Sequence, residues 1–388
     1  MFVKLCKPEA RMINWRCWSS PFKLRLWVRI KLKILLSLLG IAAVVCTTGF
    51  SSSLLTRSSN AFQFTQLHHG DEEYTFSSQL NVSTKGAEEL HIDAPNNLGG
   101  SINLQVWDED NCLVKFECWA RANTEKKAKN FVNLVDLDLD RDEDLVELRL
   151  TTPHPAPWEG TNYGIKANLD IFIPEDFILK TKTFSFDLDI GGPLQKVDIE
   201  NKYGKTYVKD VTENTKIVGP YNKVEIENIQ GDLNVRTTYN SIYARNVDTK
   251  KGKASFETIY GKIDLEDIRG EIDAETIYSP IYASDISILG GVNNIQTVYS
   301  KVDLELEEME ECELYVKNTY GNINVTVPED ISARLILTVD RGGKIHTTGI
   351  LITPTVLKKN RLEGICGQGE SKIEIDIDGI GKILLEGK

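Results

Sequence analysis

A tyrosine followed by glycine, asparagine or serine returns seven times in the second half of this chain: Tyr203-Gly204, Tyr221-Asn222, Tyr239-Asn240, Tyr260-Gly261, Tyr278-Ser279, Tyr299-Ser300 and Tyr320-Gly321. Arg341-Gly342 is a degenerate eighth member. From one corner to the next the step takes one of only two lengths, a short one as from Tyr203 to Tyr221 and a long one as from Tyr239 to Tyr260. A fixed period near 20 marks stacked repeats, in which one unit cannot bury its apolar face alone and is completed by its neighbours.

With the tyrosine as position one, positions four and six are apolar and position five is polar, as in Val224/Ile226, Ile242/Ala244, Ile263/Leu265, Ile281/Ala283, Val302/Leu304 and Ile323/Val325. That alternation is a strand with one buried face. A second strand precedes each corner: an apolar residue stands four before the tyrosine, and Thr237, Thr258, Thr276 or Thr297 stands two before it. The three extra residues of the longer repeats fall between the two strands, as around Thr249 to Lys253, which leaves both strands in register. Each strand is therefore expected to pair in parallel with its counterpart one rung away, about 4.8 Å off. The fold class expected is all-β: a right-handed parallel β-solenoid with about seven to eight rungs of about 18–21 residues, its hand set by the usual crossover preference.

A second period overlies the first. The outward residue at position five alternates between tyrosine (Tyr207, Tyr243, Tyr282) and carboxylate (Glu225, Asp264, Asp303), and position seven follows with Lys209, Glu227, Arg245, Glu266, Ser284 and Glu305. Alternation keeps like charges from facing each other on adjacent strands, where opposite charges attract by roughly 0.2–1 kcal/mol per pair. The same six position-five residues also form the candidate ligand-binding strip, since exposed aromatics and carboxylates can anchor a partner. The corner tyrosines read as a packing ladder.

The net charge of −12 is unevenly placed: residues 1–33 carry nine Lys or Arg against one Glu, so the rest of the chain is strongly acidic. An acidic body argues against a nucleic-acid partner. Residues 1–33 read as a basic cytoplasmic segment, 34–50 as an uncharged transmembrane signal anchor, and 51–73 as a serine-rich tether. The remainder would be extracytoplasmic: an N-terminal β region over 74–182, the repeats over 183–349, and closing strands over 350–388. In the N-terminal β region, strands are expected at Leu90–Ile92, Ile102–Trp107, Leu113–Trp119, Phe131–Asp140, Leu145–Leu150, Leu169–Ile173 and Phe177–Thr183, with a short helix near Thr124–Asn130. Asp136, Asp138, Asp140 and Glu147 have the spacing of a calcium loop, but Arg141 stands where that loop needs glycine, and a hairpin turning at Arg141 to Asp144 accounts for the same residues.

Cys112 and Cys118 lie roughly 20 Å apart on one expected strand and cannot bond to each other, while Cys312 and Cys366 could meet only if the tail folds back. The five histidines are scattered, and no nucleophile elbow, phosphate loop or dinucleotide fingerprint occurs. No metal or cofactor and no catalytic residue is expected, and the chain reads as a non-enzyme. A third reading, behind surface binding and a structural scaffold, is a polysaccharide-active solenoid, with Glu225, Asp264 and Asp303 two rungs apart at roughly 9–10 Å.

The strand Ser101–Trp107 ending in Trp-Asp, the segment Ile171-Phe172-Ile173-Pro174-Glu175-Asp176 before the repeats, and its echo Val325-Thr326-Val327-Pro328-Glu329-Asp330 resemble the bacterial putative-adhesin family over residues 78–385. That family is an adhesin-like β-solenoid domain of unknown function, so the resemblance implies the fold and a surface-binding role but supplies no catalytic residues. This chain departs from the commoner pattern in having tyrosine at the corner where many relatives have a small polar residue. The function expected is thus a membrane-anchored adhesin-like protein of the cell surface that binds a glycan or protein partner. The alternative is a self-associating envelope scaffold.

Overall fold

The apolar residues at positions four and six of every repeat are buried, and the residue between them faces outward. That two-residue alternation makes each repeat a pair of strands, and the computed structural model, which describes residues 71–388, assembles 25 strands and one short helix from it. All the strands belong to one hydrogen-bonded sheet. The sheet resolves into two ladders, because the long strands Ile178–Leu194, Lys196–Val211, Ile242–Glu257 and Ile263–Glu275 each contribute one half to either ladder.

The first ladder runs in spatial order Glu72–Ser83, Asn111–Ala122, Gly164–Ile173, Gly99–Val106, the four-strand series just named in its outer halves with Tyr221–Gln230 among them, then Ile281–Leu289, Val302–Glu310, Ile323–Val327, Lys382–Gly387 and Lys344–Thr348. The second begins at Asp136–Asp142, Leu145–Thr151 and Glu89–Asp93. It continues through Thr215–Val218, Leu233–Arg236, Val292–Gln296 and Glu313–Tyr320, and closes with Ser371–Ile380, Ala333–Val339, Arg361–Cys366 and Thr353–Lys358. Within the repeats every pairing is parallel and, apart from a shift at Leu306, joins equivalent positions of consecutive repeats: Tyr203 faces Tyr221, and Ile242 faces Ile263. The buried faces of both ladders form one apolar core.

Two corners shape each rung. At the tyrosine corner the buried hydroxyls of Thr237, Thr258, Thr276 and Thr297 donate to the carbonyls of Asn222, Asn240, Gly261 and Ser279 at 3.1–3.2 Å, which ties each corner to the residue after the preceding tyrosine. The tyrosine rings themselves stack, with centroids 4.6–5.6 Å apart and planes within 14° of parallel from Tyr203 to Tyr320. The ladder expected at these positions is therefore present, and the rings remain 37–53% exposed along their edges.

The other corner escaped the sequence reading. Asp210, Asn228, Asn246, Asp267 and Asp285, at position eight, have φ of 52–59°, the left-handed conformation that Asn and Asp tolerate best. This kink shifts the inward parity, so the next buried residue is Val211, Ile229, Val247, Ile268 or Ile286 at position nine. Asn228 donates to Asp210 and Asn246 to Asn228, each at 2.7 Å. In the repeat of Tyr299, position eight is Leu306, which is buried instead, and the register shifts there.

The N-terminal region departs from expectation in two places. Phe131 and Val132, expected on a strand, end the helix Glu125–Val132. Thr124 caps that helix by accepting from the Lys127 amide at 3.3 Å, and Phe131 packs 5.7 Å from both Trp158 and Tyr163. The first strand begins at Glu72, inside the span expected as tether. Asp136–Asp142 and Leu145–Thr151 form the expected hairpin, with Asp138 opposite Arg149.

At the far end the chain leaves a gap: Ala333–Thr348 lies one rung beyond its sequential place, and Ser371–Gly387 returns to fill the space between it and the rung of Glu313–Val327. The tail thus folds back, yet Cys312, just before Glu313–Tyr320, and Cys366, at the end of Arg361–Cys366, belong to rungs separated by two other strands, and both are free and buried. Cys112 and Cys118 are also free, and burial pushes both thiols up to about 12. Among the described residues no helix is long and apolar enough to cross a membrane, and the segment 34–50 expected to do so lies outside them.

Candidate functional site

Parallel pairing at equal positions turns a sequence period into a row. Tyr207, Glu225, Tyr243, Asp264, Tyr282 and Asp303 are consecutive neighbours on the outer face of the first ladder, one per strand, and Asn324 follows them. All six are half-buried. The structure therefore brings every residue of the expected strip together.

What the sequence reading missed is the lysine two residues before each carboxylate. Lys223, Lys262 and Lys301 recur once per double rung, in step with Glu225, Asp264 and Asp303, so the signal was present in the same doubled period. Lys262 bonds Asp264 at 2.7 Å, Lys301 bonds Asp303 at 2.6 Å, and Lys223 bonds Glu225. Those hydrogen bonds raise the lysines above their ordinary range.

Each ammonium also lies over a tyrosine of an adjacent rung. Lys223 and Lys262 sit 4.8 and 4.6 Å from the Tyr243 centroid, and Lys301 sits 4.8 Å from that of Tyr282. Ring faces used in this way by cations are not open for stacking by a ligand. What Tyr243 and Tyr282 present outward is the ring edge. Tyr207 differs: its hydroxyl donates to Glu227 at 2.7 Å, and burial, followed by the Glu227 hydrogen bond and charge, pushes it up to about 12.

Position seven forms a parallel row in which Arg245 pairs with Glu266 at 2.9 Å and Lys209 lies 4.0 Å from Glu227. Between the two rows lies an open groove of about 450 Å³ lined by Tyr207, Glu225, Tyr243, Asp264, Glu227 and Arg245, among others. The groove is polar and charged, with phenol edges, carboxylates and one guanidinium within reach of a ligand. It is suited to hydrogen bonding more than to burial of an apolar group.

The two ladders of stacked parallel strands and their outward rows define an all-β protein built from repeats. No family model matches the chain, and no curated protein matches it. Among solved structures it is similar to a putative cell adhesion protein from Clostridium sporogenes, at 12% identity over 81% of this chain and 100% of that one with a TM-score of 0.18. A putative adhesin from Parabacteroides distasonis is 10% identical over 79% of this chain and 97% of that one, with a TM-score of 0.25. Likenesses this distant establish nothing about what the strip binds.

Proposed function

We propose that this chain is a membrane-anchored, extracytoplasmic, right-handed β-solenoid of the adhesin-like kind, which binds a cell-surface glycan or protein through the outer strip of its first ladder. The observation that carries the reading is the groove beside Tyr207, Glu225, Tyr243 and Asp264, where phenol edges and ion-paired carboxylates face solvent together. Such groups recognise hydroxyls and amides by hydrogen bonding, and repetition along the row lets one extended partner meet several equivalent subsites, which multiplies weak contacts. The Lys–carboxylate pairing recurs at each double rung without a distinct position, which suits binding more than catalysis at one point. Residues 34–50 supply the anchor in this reading.

The test is binding of the intact chain to a glycan array and to whole cells, compared with a variant carrying Tyr207→Ser, Tyr243→Ser and Tyr282→Ser. The parent is expected to bind saturably and the triple variant at least about tenfold more weakly, as for loss of several contact side chains. Equal binding by the two proteins would sink the strip as the contact surface.

A further inference from the structure

We infer that the two ends of the second ladder are complementary docking edges, on which a second copy of this chain stacks head to tail. This inference concerns different surfaces from the outer strip and stands or falls independently of it.

At one end the ladder stops at Asp136–Asp142 and at the other at Thr353–Lys358. Each of these strands has a hydrogen-bonded neighbour on one side only among the described residues. Exposed edges of this type invite another chain. The two edges run in opposite directions relative to the repeats. Asp136–Asp142 is antiparallel to Leu145–Thr151, which runs with the repeats; Thr353–Lys358 is antiparallel to Arg361–Cys366, itself antiparallel to Ala333–Val339. A copy stacked in the same orientation would therefore join them as an antiparallel pair, the more stable kind.

Two columns of side chains show that the edges match in register. One column on the core side runs without a break from Leu139 through Leu148, Ile92 and the buried residues of every repeat to Leu337, Leu362 and Leu357. Its last member, Leu357, is 74% exposed, a large apolar side chain on the core-facing side with no further rung to cover it. The adjacent outward column runs from Asp138 through Arg149, Asp93, Lys182 and Glu200 to Arg361 and Lys358. It alternates in sign at the N-terminal end and finishes with acid at one terminus and base at the other.

Stacking by one strand spacing thus sets Leu357 of one copy against Leu139 of the next and Lys358 against Asp138. Acid predominates on the first edge, with Asp136, Asp140 and Asp142, where the one cation, Arg141, donates to the backbone carbonyls of Lys85 and Glu143, and Lys359 and Arg361 flank the second edge. Pro354 lacks an amide donor, which keeps the junction short. A short, charge-matched junction predicts weak and salt-sensitive association.

The test is sedimentation of the full-length chain in a non-ionic detergent at about 20 mM and about 300 mM salt, between which the screening length falls from roughly 20 Å to roughly 6 Å. Mass is expected to grow with concentration at low salt and to fall back at high salt. Asp138→Lys and Lys358→Glu should each weaken self-association about tenfold, the scale of a like-charge contact, and an equimolar mixture of the two variants should restore it. Restoration also shows that both variants are folded. Leu357→Ser should weaken association at either salt concentration. The inference is overturned by a mass that never grows with concentration. It is equally overturned by growth indifferent to the two charge reversals, which would place the contact on a lateral face or in residues 1–70.

Discussion

The repeats and the two ends of the molecule are built from the same strands but connected in opposite ways. Between Lys196 and Val327 every strand lies beside its counterpart in the next repeat, so spatial order follows chain order. At the ends the order interleaves. Gly99–Val106 is inserted between Gly164–Ile173 and Ile178–Leu194, and Ser371–Ile380 between Glu313–Tyr320 and Ala333–Val339. A stack whose last rung were also last in sequence could fray from its terminus one rung at a time. Interleaving places Ser371–Gly387 inside the stack, so that segment cannot leave without breaking pairings on two sides, whereas the outermost strands are held on one.

That difference is most sharply tested by removing the inserted rung. Deletion of residues 371–388 takes away Ile373, Ile375, Ile377, Ile383 and Leu385, all fully buried, a loss on the order of 10 kcal/mol of apolar burial and comparable with the whole stability of a domain. Hydrogen exchange is expected to show loss of protection from Glu313 through Thr348, while Lys196 to Gln296 stays protected because its contacts are to nearest neighbours. Protection retained in Ala333–Val339 after the deletion would mean that the outer rung does not depend on the inserted one.

A smaller break inside the repeats asks the converse question. Phe256 is the bulkiest residue of its core column and is flanked by Val235 and Ala274, so the small Ala274 leaves room for its ring. Phe256→Ala should cost about 3–5 kcal/mol in urea unfolding. The added exchange should be confined to the adjoining rungs, Leu233–Arg236 and Ile263–Glu275. If Gly99–Val106 and Ser371–Ile380 open equally, the stack unfolds as one cooperative body and the nearest-neighbour description fails.

Legibility in the sequence followed the same division. Each repeat's strands, their parallel register and the convergence of Tyr207 through Asp303 could be read from spacing alone, because a periodic chain repeats its contacts at the period. The lysines of the strip carried the same double-rung spacing, but they stand at position three, outside the apolar alternation that marks the strands. The left-handed corner at position eight was harder, since Asp210, Asn228 and Asp267 look like ordinary polar surface until the shift of burial to position nine is seen. Interleaving at the ends had no local signal. Nothing within Ser371–Ile380 distinguishes a strand that closes a stack from one that slots into it, because that choice is made by partners as distant in the chain as Glu313–Tyr320. Phe131 is a similar case: its type fits a strand, but the Thr124 cap and packing on Trp158 hold it on a helix.

The smallest effect separates how the repeats and the cap handle charge. In the strip each of Glu225, Asp264 and Asp303 has its own lysine, whereas in the cap Asp376 lies near Asp378 and Asp340 with Lys317 as the compensating cation. Burial, then the hydrogen bond and charge of Asp378, and then the charge of Asp340 raise the Asp376 carboxyl to about 6. An unfolded aspartate titrates near 4, so between about pH 4 and pH 6 the unfolded chain has released a proton that the folded chain retains. Folding stability should therefore fall as pH rises through that window and stay lower above it. Asp376→Asn removes the titration and is expected to stabilise the protein at pH 7 by about 1 kcal/mol after allowance for solvent screening, with no gain below pH 4. Urea midpoints of parent and variant at pH 4 and pH 7 measure the difference directly. A gain of equal size at both pH values would assign the effect to packing, and would remove the contrast between a strip in which each carboxylate has its own lysine and a terminal strand in which Asp376 faces two other carboxylates.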